Sequence, residues 1–138
     1  MKSLFIFGGS GFIGKSIIEY ICKKKNNLNI NKIYVLSRKK IKIKISKKVK
    51  IKFITKDIIK LTKIPKTDYI IYGIRSDNLD IALKNFKHFY SLIKNHNNSK
   101  ILLLSSGAVY GFRKKKTKFR ENEKININYI NKFNVKRR

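Results

Sequence analysis

The stretch Phe7-Gly8-Gly9-Ser10-Gly11-Phe12-Ile13-Gly14-Lys15-Ser16 decides the reading of this chain. It follows the apolar run Leu4-Phe5-Ile6-Phe7 and opens a segment where Ile13, Ile17, Ile18 and Ile21 recur at helical spacing. A strand, a glycine turn and a helix in that order form the first half of a nucleotide-binding βαβ unit. The physical reason is steric and electrostatic. Glycines let the backbone turn sharply and come close to a pyrophosphate, and the helix N-terminus offers unpaired N–H groups to the negative charge.

Two motifs share these letters. Gly8, Gly11 and Gly14 stand at the three-residue spacing of a dinucleotide turn, whereas residues 9–16 satisfy G-x-x-x-x-G-K-S, the P-loop pattern. In the second reading Lys15 reaches the phosphates and Ser16 a magnesium ion. A P-loop enzyme also needs a strand ending in a metal-binding Asp. The runs Ile70-Ile71-Tyr72-Gly73 and Leu102-Leu103-Leu104-Ser105 end without a carboxylate, which favours the dinucleotide reading. A glycine turn that binds nothing is the third alternative, and the letters alone leave all three open.

The 138 residues suit one domain, and the formal charge of +28 invites a polyanion partner. The lysines run from Lys2 to Lys136 without gathering on one element, as a solvated coat on an ordinary fold would have them. Either way a nonspecific affinity for polyanions, strongest at low salt, is expected. Cys22 is alone, which excludes a disulfide framework, and His88 and His96 have no Cys or carboxylate at ligand spacing, so no metal site is expected. The start is not a secretory signal, and no run approaches a membrane span. A cytoplasmic, reducing setting is the expectation.

Along the chain, strand-like and helix-like segments alternate, predicting a doubly wound parallel α/β sheet of five core strands. The strands are expected at residues 2–7, 33–36, 49–54, 68–73 and 101–104, with helices at 12–25 and 78–95 and a polar turn at 26–31. The second helix carries Leu79, Leu83, Phe86, Phe89, Tyr90 and Ile93 along one face. The alternation Ile41-Lys42-Ile43-Lys44-Ile45 predicts a short edge strand or an excursion between core strands. A nucleotide-binding core over 1–112 and a basic, polar tail over 113–138, with Arg113-Lys114-Lys115-Lys116 a candidate anion contact, complete the division.

After the fifth strand comes Ser105-Ser106-Gly107-Ala108-Val109-Tyr110-Gly111. Together with the first glycine motif it resembles the extended short-chain dehydrogenase/reductase superfamily, in its NAD-dependent epimerase/dehydratase branch. That family has a G-x-x-G-F-I-G turn and an S-S-x-x-V-Y-G segment after a later strand. The resemblance covers nearly all of this chain, but only the N-terminal half of a normal member. It implies a Rossmann-like fold, an NADP or NAD cofactor and a nucleotide-sugar substrate. Gly8, Gly9, Ser10, Gly11 and Gly14 would form the pyrophosphate turn, and Phe12 and Ile13 would set backbone N–H groups against the phosphates. Arg38 stands where many relatives have an acid for the ribose hydroxyls, and a guanidinium there suits the 2′-phosphate of NADP. Asp57 and Ile58 match the pair beneath the adenine, while Gly73 and Ser105 end strands beside the cofactor. Ser106 takes the catalytic hydroxyl position, next to a tyrosine acidified by a lysine.

Three features depart from the family pattern. Tyr129 stands at a suitable distance, but residue 133 is Phe, and Lys132 lies one residue early, about 100° around a helix from the required direction. Ile74 and Arg75 are bulkier than the small residues usual after the fourth strand, so a partly filled pocket is expected. The chain stops within the Tyr–Lys helix, before the sugar-nucleotide region. The resemblance thus implies an N-terminal fragment, with a fifth strand whose bare edge aggregates or pairs with another chain, and no turnover alone. The other function classes open to the sequence are a cofactor-fold protein binding RNA or an acidic partner, and a P-loop phosphotransferase.

Overall fold

A computed structural model of the chain describes residues 1–23, 29–39, 41–43 and 49–105. The chain divides after Leu104 into the units Met1–Leu104 and Ser105–Arg138. The second unit, with its candidates Ser106, Tyr129 and Lys132 and the 113–116 basic run, lies outside the described residues apart from Ser105.

Strand β1 (Lys2–Phe7), helix α1 (Phe12–Lys23), strand β2 (Ile30–Ser37) and strand β3 (Lys50–Thr55) come first. A 3-10 turn (Ile58–Lys60), strand β4 (Tyr69–Tyr72), helix α2 (Leu79–Ile93) and strand β5 (Lys100–Leu103) follow. The five strands form one sheet of order β3-β2-β1-β4-β5, every pairing parallel. This is the expected doubly wound α/β sheet, and β1 at its centre is where the strand order reverses.

Two cores explain the arrangement. Leu4 and Ile6 of β1 face one way, packing with Ile18, Ile21 and Cys22 of α1 and Ile33 and Val35 of β2. Phe5 and Phe7 face the other way, packing with Ile58 and Leu61, Ile70 and Tyr72, and Phe89 and Ile93 of α2. A central parallel strand is covered on both sides, so four successive apolar residues are buried rather than alternate ones. Phe7 meets Phe89 edge-on at 5.0 Å between ring centroids, which seats α2 over β1. The His88 imidazole Nε2 lies 2.8 Å from the Leu61 carbonyl and ties the same helix to the connection after the 3-10 turn.

The differences from expectation have local causes. β2 begins at Ile30, inside the segment expected to be a turn. Asn29 takes the left-handed conformation (φ 53°), and its carbonyl accepts from the Lys2 N–H at 3.0 Å, so pairing with β1 starts at once. Residues 41–43 are not a strand; Ile41 and Ile43 lie half-buried against the α1-side core instead. Helix α2 is rotated from the predicted face. Asn85, Phe89 and Ile93, with Ala82 and Leu92 half-buried, turn to the sheet, while Leu79, Leu83, Phe86 and Tyr90 are exposed. β5 hydrogen-bonds to β4, yet Ile101, Leu102 and Leu103 are about half exposed, as an outermost strand with an uncovered face would be.

Candidate functional site

The glycine loop sits where β1 ends, between the ends of β2 and β4. The Gly8 and Gly9 N–H groups both donate to the Leu36 carbonyl, at 3.0 and 3.1 Å, and the Gly73 N–H donates to the Phe7 carbonyl at 2.9 Å. The loop is therefore pinned to both neighbouring strands. Gly8 has φ +89°, and a Cβ there would lie 2.9 Å from the Gly73 carbonyl oxygen. A Cβ on Gly14 would lie 2.7 Å from the Gly8 carbonyl oxygen and 2.8 Å from the Gly9 Cα. Gly8 thus supplies the sharp turn, and Gly14 lets α1 pack against the loop, the separate roles of the first and third glycines in a dinucleotide fingerprint.

The start of α1 is open. Phe12 is 88% and Ile13 51% exposed, so their side chains stand clear of the backbone, and the first turn carries no acidic residue. Its N–H groups have no partners within the helix and point at the space above the loop. The two residues that a P-loop would use are engaged elsewhere. The Ser16 hydroxyl donates to the Phe12 carbonyl at 2.9 Å, and the Lys15 ammonium lies 4.0 Å from Glu19.

Arg38 and Lys39 follow β2 and are exposed, two cations beside the loop. Ser37 beneath them is buried, and its hydroxyl donates to the Lys39 carbonyl, fixing the turn that presents both. Lys39 belongs to no motif, and only its place next to Arg38 marks it in the sequence. Across the β2–β3 pair, the Lys56 N–H donates to the Ser37 carbonyl at 3.1 Å and brings Asp57 to the same edge. The Asp57 carboxylate accepts from the Ile59 N–H at 3.1 Å as an N-cap, and the Ile58 side chain is buried in the α2-side core.

After β4, Gly73 faces Gly8, Ile74 packs half-buried against the core, and Arg75 turns away to pair with Asp77 at 3.2 Å. Ser105 follows β5 and is exposed. The structure therefore brings Gly8, Gly9, Ser10, Gly11, Phe12, Ile13 and Gly14 together with Arg38, Asp57 and Gly73 on the carboxyl edge of the sheet. Among the described residues no three His, Cys, Asp or Glu side chains gather as a metal site, and no helix is long and apolar enough to cross a membrane. A polar cleft of about 460 Å³ opens at the opposite, amino edge, lined by Ser3, Lys66, Thr67, Asp68, His96 and Ser99 among others.

A glycine loop pinned at the switch point of a parallel sheet, below an uncovered helix N-terminus, defines a dinucleotide-binding domain of the Rossmann-like class. The chain belongs to the NAD-binding family described as male sterility protein, whose model matches residues 6–97, within the extended short-chain dehydrogenases/reductases. Solved structures share the fold. A mutated uronate dehydrogenase superposes with TM-score 0.68 at 16% identity, over 96% of this chain and 50% of its own. The UDP-N-acetylglucosamine 4-epimerase from Bacillus cereus gives 0.61 at 14%, over 97% and 47%. A candidate NADH-flavin reductase from Streptococcus pneumoniae TIGR4 gives 0.59 at 22%, over 88% and 58%. The chain thus spans about half the length of the solved structures it matches. No curated protein matches it significantly. The fold is that of NAD(P)-binding epimerases, dehydrogenases and reductases.

Proposed function

We propose that the chain binds NADP, in preference to NAD, as the cofactor half of a nucleotide-sugar epimerase, dehydratase or reductase. The observation that carries the reading is the tight turn made by Gly8 and Gly14, whose backbone neighbours leave no room for a Cβ, under the open first turn of α1. The residues present fit a dinucleotide. The N–H groups of Phe12, Ile13 and Gly14 would meet its diphosphate, and Arg38 with Lys39 would flank a 2′-phosphate on the adenosine ribose. Asp57, which already accepts one backbone N–H, keeps a second carboxylate oxygen for the adenine amine, while Ile58 holds that corner from within the core. Gly73, without a side chain, would border the nicotinamide end, and Ser105 is assigned there by resemblance.

Bound there, the nicotinamide would supply hydride transfer. The chain's own part is orientation and proton handling. Ser106 would donate a hydrogen bond to the hydroxyl oxygen on the sugar carbon being oxidised, Tyr129 would take or give its proton, and a neighbouring cation, Lys132, would lower the Tyr129 phenol's pKa. All three are assigned by resemblance.

Calorimetric titration of the chain with NADPH and NADH tests the reading. Both coenzymes are expected to bind, NADPH the tighter. Arg38→Ala is expected to weaken NADPH by about tenfold, or about 1.4 kcal/mol, and to leave NADH unchanged. Absence of binding of either coenzyme at millimolar concentration overturns it.

A further inference from the structure

The β2–β3 half of the sheet carries a basic surface that dinucleotide binding does not use. In the parallel register Lys32 stands opposite Lys50, and Tyr34 opposite Lys52. Residues two apart share a sheet face, so Lys32 and Tyr34 lie on the same side as Lys50 and Lys52. That side is also the side of Leu36 and Ile54, which belong to the α2-side core. Helix α2 lies over β1 and β4 through Phe89, and Lys32, Lys50 and Lys52 remain exposed. The chain's +28 charge, spread in sequence, is here concentrated by strand pairing.

Two details distinguish this patch from a solvated coat. Like charges directly opposite on a sheet repel, and the described ion pairs, Lys15–Glu19 and Arg75–Asp77, lie elsewhere. The central cation is also held in place. The Lys32 ammonium sits 5.0 Å from the centroid of the Tyr34 ring, and that ring stacks on fully buried Phe5, 6.0 Å away with planes 15° apart. A cation fixed over an aromatic loses less freedom when it meets an anion.

We propose that this face docks the phosphate backbone of a single-stranded nucleic acid without reading its sequence. Successive lysines on β3 stand about 7 Å apart and the strip is only two strands wide, about 5 Å from strand to strand. It therefore offers a line of cations to one backbone rather than to the two of a duplex. The Tyr34 ring, occupied by Phe5 and Lys32, stacks no base, so the contact is electrostatic throughout.

The test is a salt-titrated binding measurement with an oligothymidylate of about 12 nucleotides. Two triple variants of equal charge are compared: Lys32→Gln, Lys50→Gln, Lys52→Gln, and Lys84→Gln, Lys87→Gln on α2 with Lys94→Gln at its C-cap. The first is expected to weaken low-salt binding at least tenfold and to flatten the slope of log K against log salt by about 2, three contacts at about 0.7 each. The second keeps the parent slope. Lys32→Arg, Lys50→Arg, Lys52→Arg retains binding and shows that the face still folds. Equal losses in the two glutamine variants overturn the proposal, since charge alone would then explain the affinity. Polyglutamate binding as tightly, with the same dependence on the three lysines, overturns it in favour of an acidic protein partner.

Discussion

At the scale of single residues, two glycines carry the site because their neighbours are backbone atoms that cannot move aside. Gly14→Ala would set a methyl group 2.7 Å from the Gly8 carbonyl oxygen. It is expected to destabilise the fold by about 1–3 kcal/mol and to abolish coenzyme binding, read by thermal melting and calorimetry on the same protein. A second residue-scale effect lies at the amino-edge cleft. Burial, and then the Lys66 charge, hold the His96 imidazole below its ordinary value. The unfolded chain therefore takes up this proton first, and stability falls as pH drops from about 6.5 towards the lowered native value. His96→Asn is expected to flatten the melting temperature between about pH 7 and 5. An unchanged slope would place the acid sensitivity elsewhere.

Elements show how far periodicity reaches. In α1 the spacing of Ile17, Ile18 and Ile21 marked the inward face, because one helix over one sheet must bury its widest apolar stripe, whereas Ile13 of the same stripe is half exposed at the open first turn. In α2 the apolar sector is wide, running from Ile81 and Leu92 round to Leu83, so spacing alone did not choose a line within it, and contacts with Phe7 and Tyr72 selected Phe89 and Ile93. Phe89→Ala is accordingly expected to cost about 3–5 kcal/mol, against less than about 0.5 kcal/mol for Leu83→Ala on the exposed side. Denaturant unfolding of the two variants measures the difference, and similar costs would place the sheet-facing side of α2 differently. The start of α2 is fixed by a side-chain cap. The Asn78 side chain accepts from the Ile81 N–H at 3.0 Å, satisfying one of the unpaired donors of the first turn.

For the whole molecule, charge opposes compaction. With 35 basic and 7 acidic residues, self-repulsion lowers stability wherever it is unscreened. The screening length shrinks from about 30 Å at 0.01 M salt to about 10 Å at 0.1 M. The melting temperature is therefore expected to rise over that range in a non-binding salt such as sodium chloride. A flat response would mean that counter-charges already neutralise the surface. The outermost strands differ in the same terms: β3 bears Lys50 and Lys52, cations that discourage strand addition, whereas β5 bears Ile101, Leu102 and Leu103 half exposed.

Local pattern was enough for the parallel sheet, its five strands and the glycine turn, since each rests on apolar runs, helical spacing and residues without side chains. It also supplied the family, through one turn and one later segment. Folding was needed to show that Gly8 meets Gly73, that Ile58 is buried in the core, which side of α2 faces inward, and that Lys32, Lys50 and Lys52 share a face. Those facts depend on strand order and register, which place residues tens of positions apart in contact and leave no trace in local spacing.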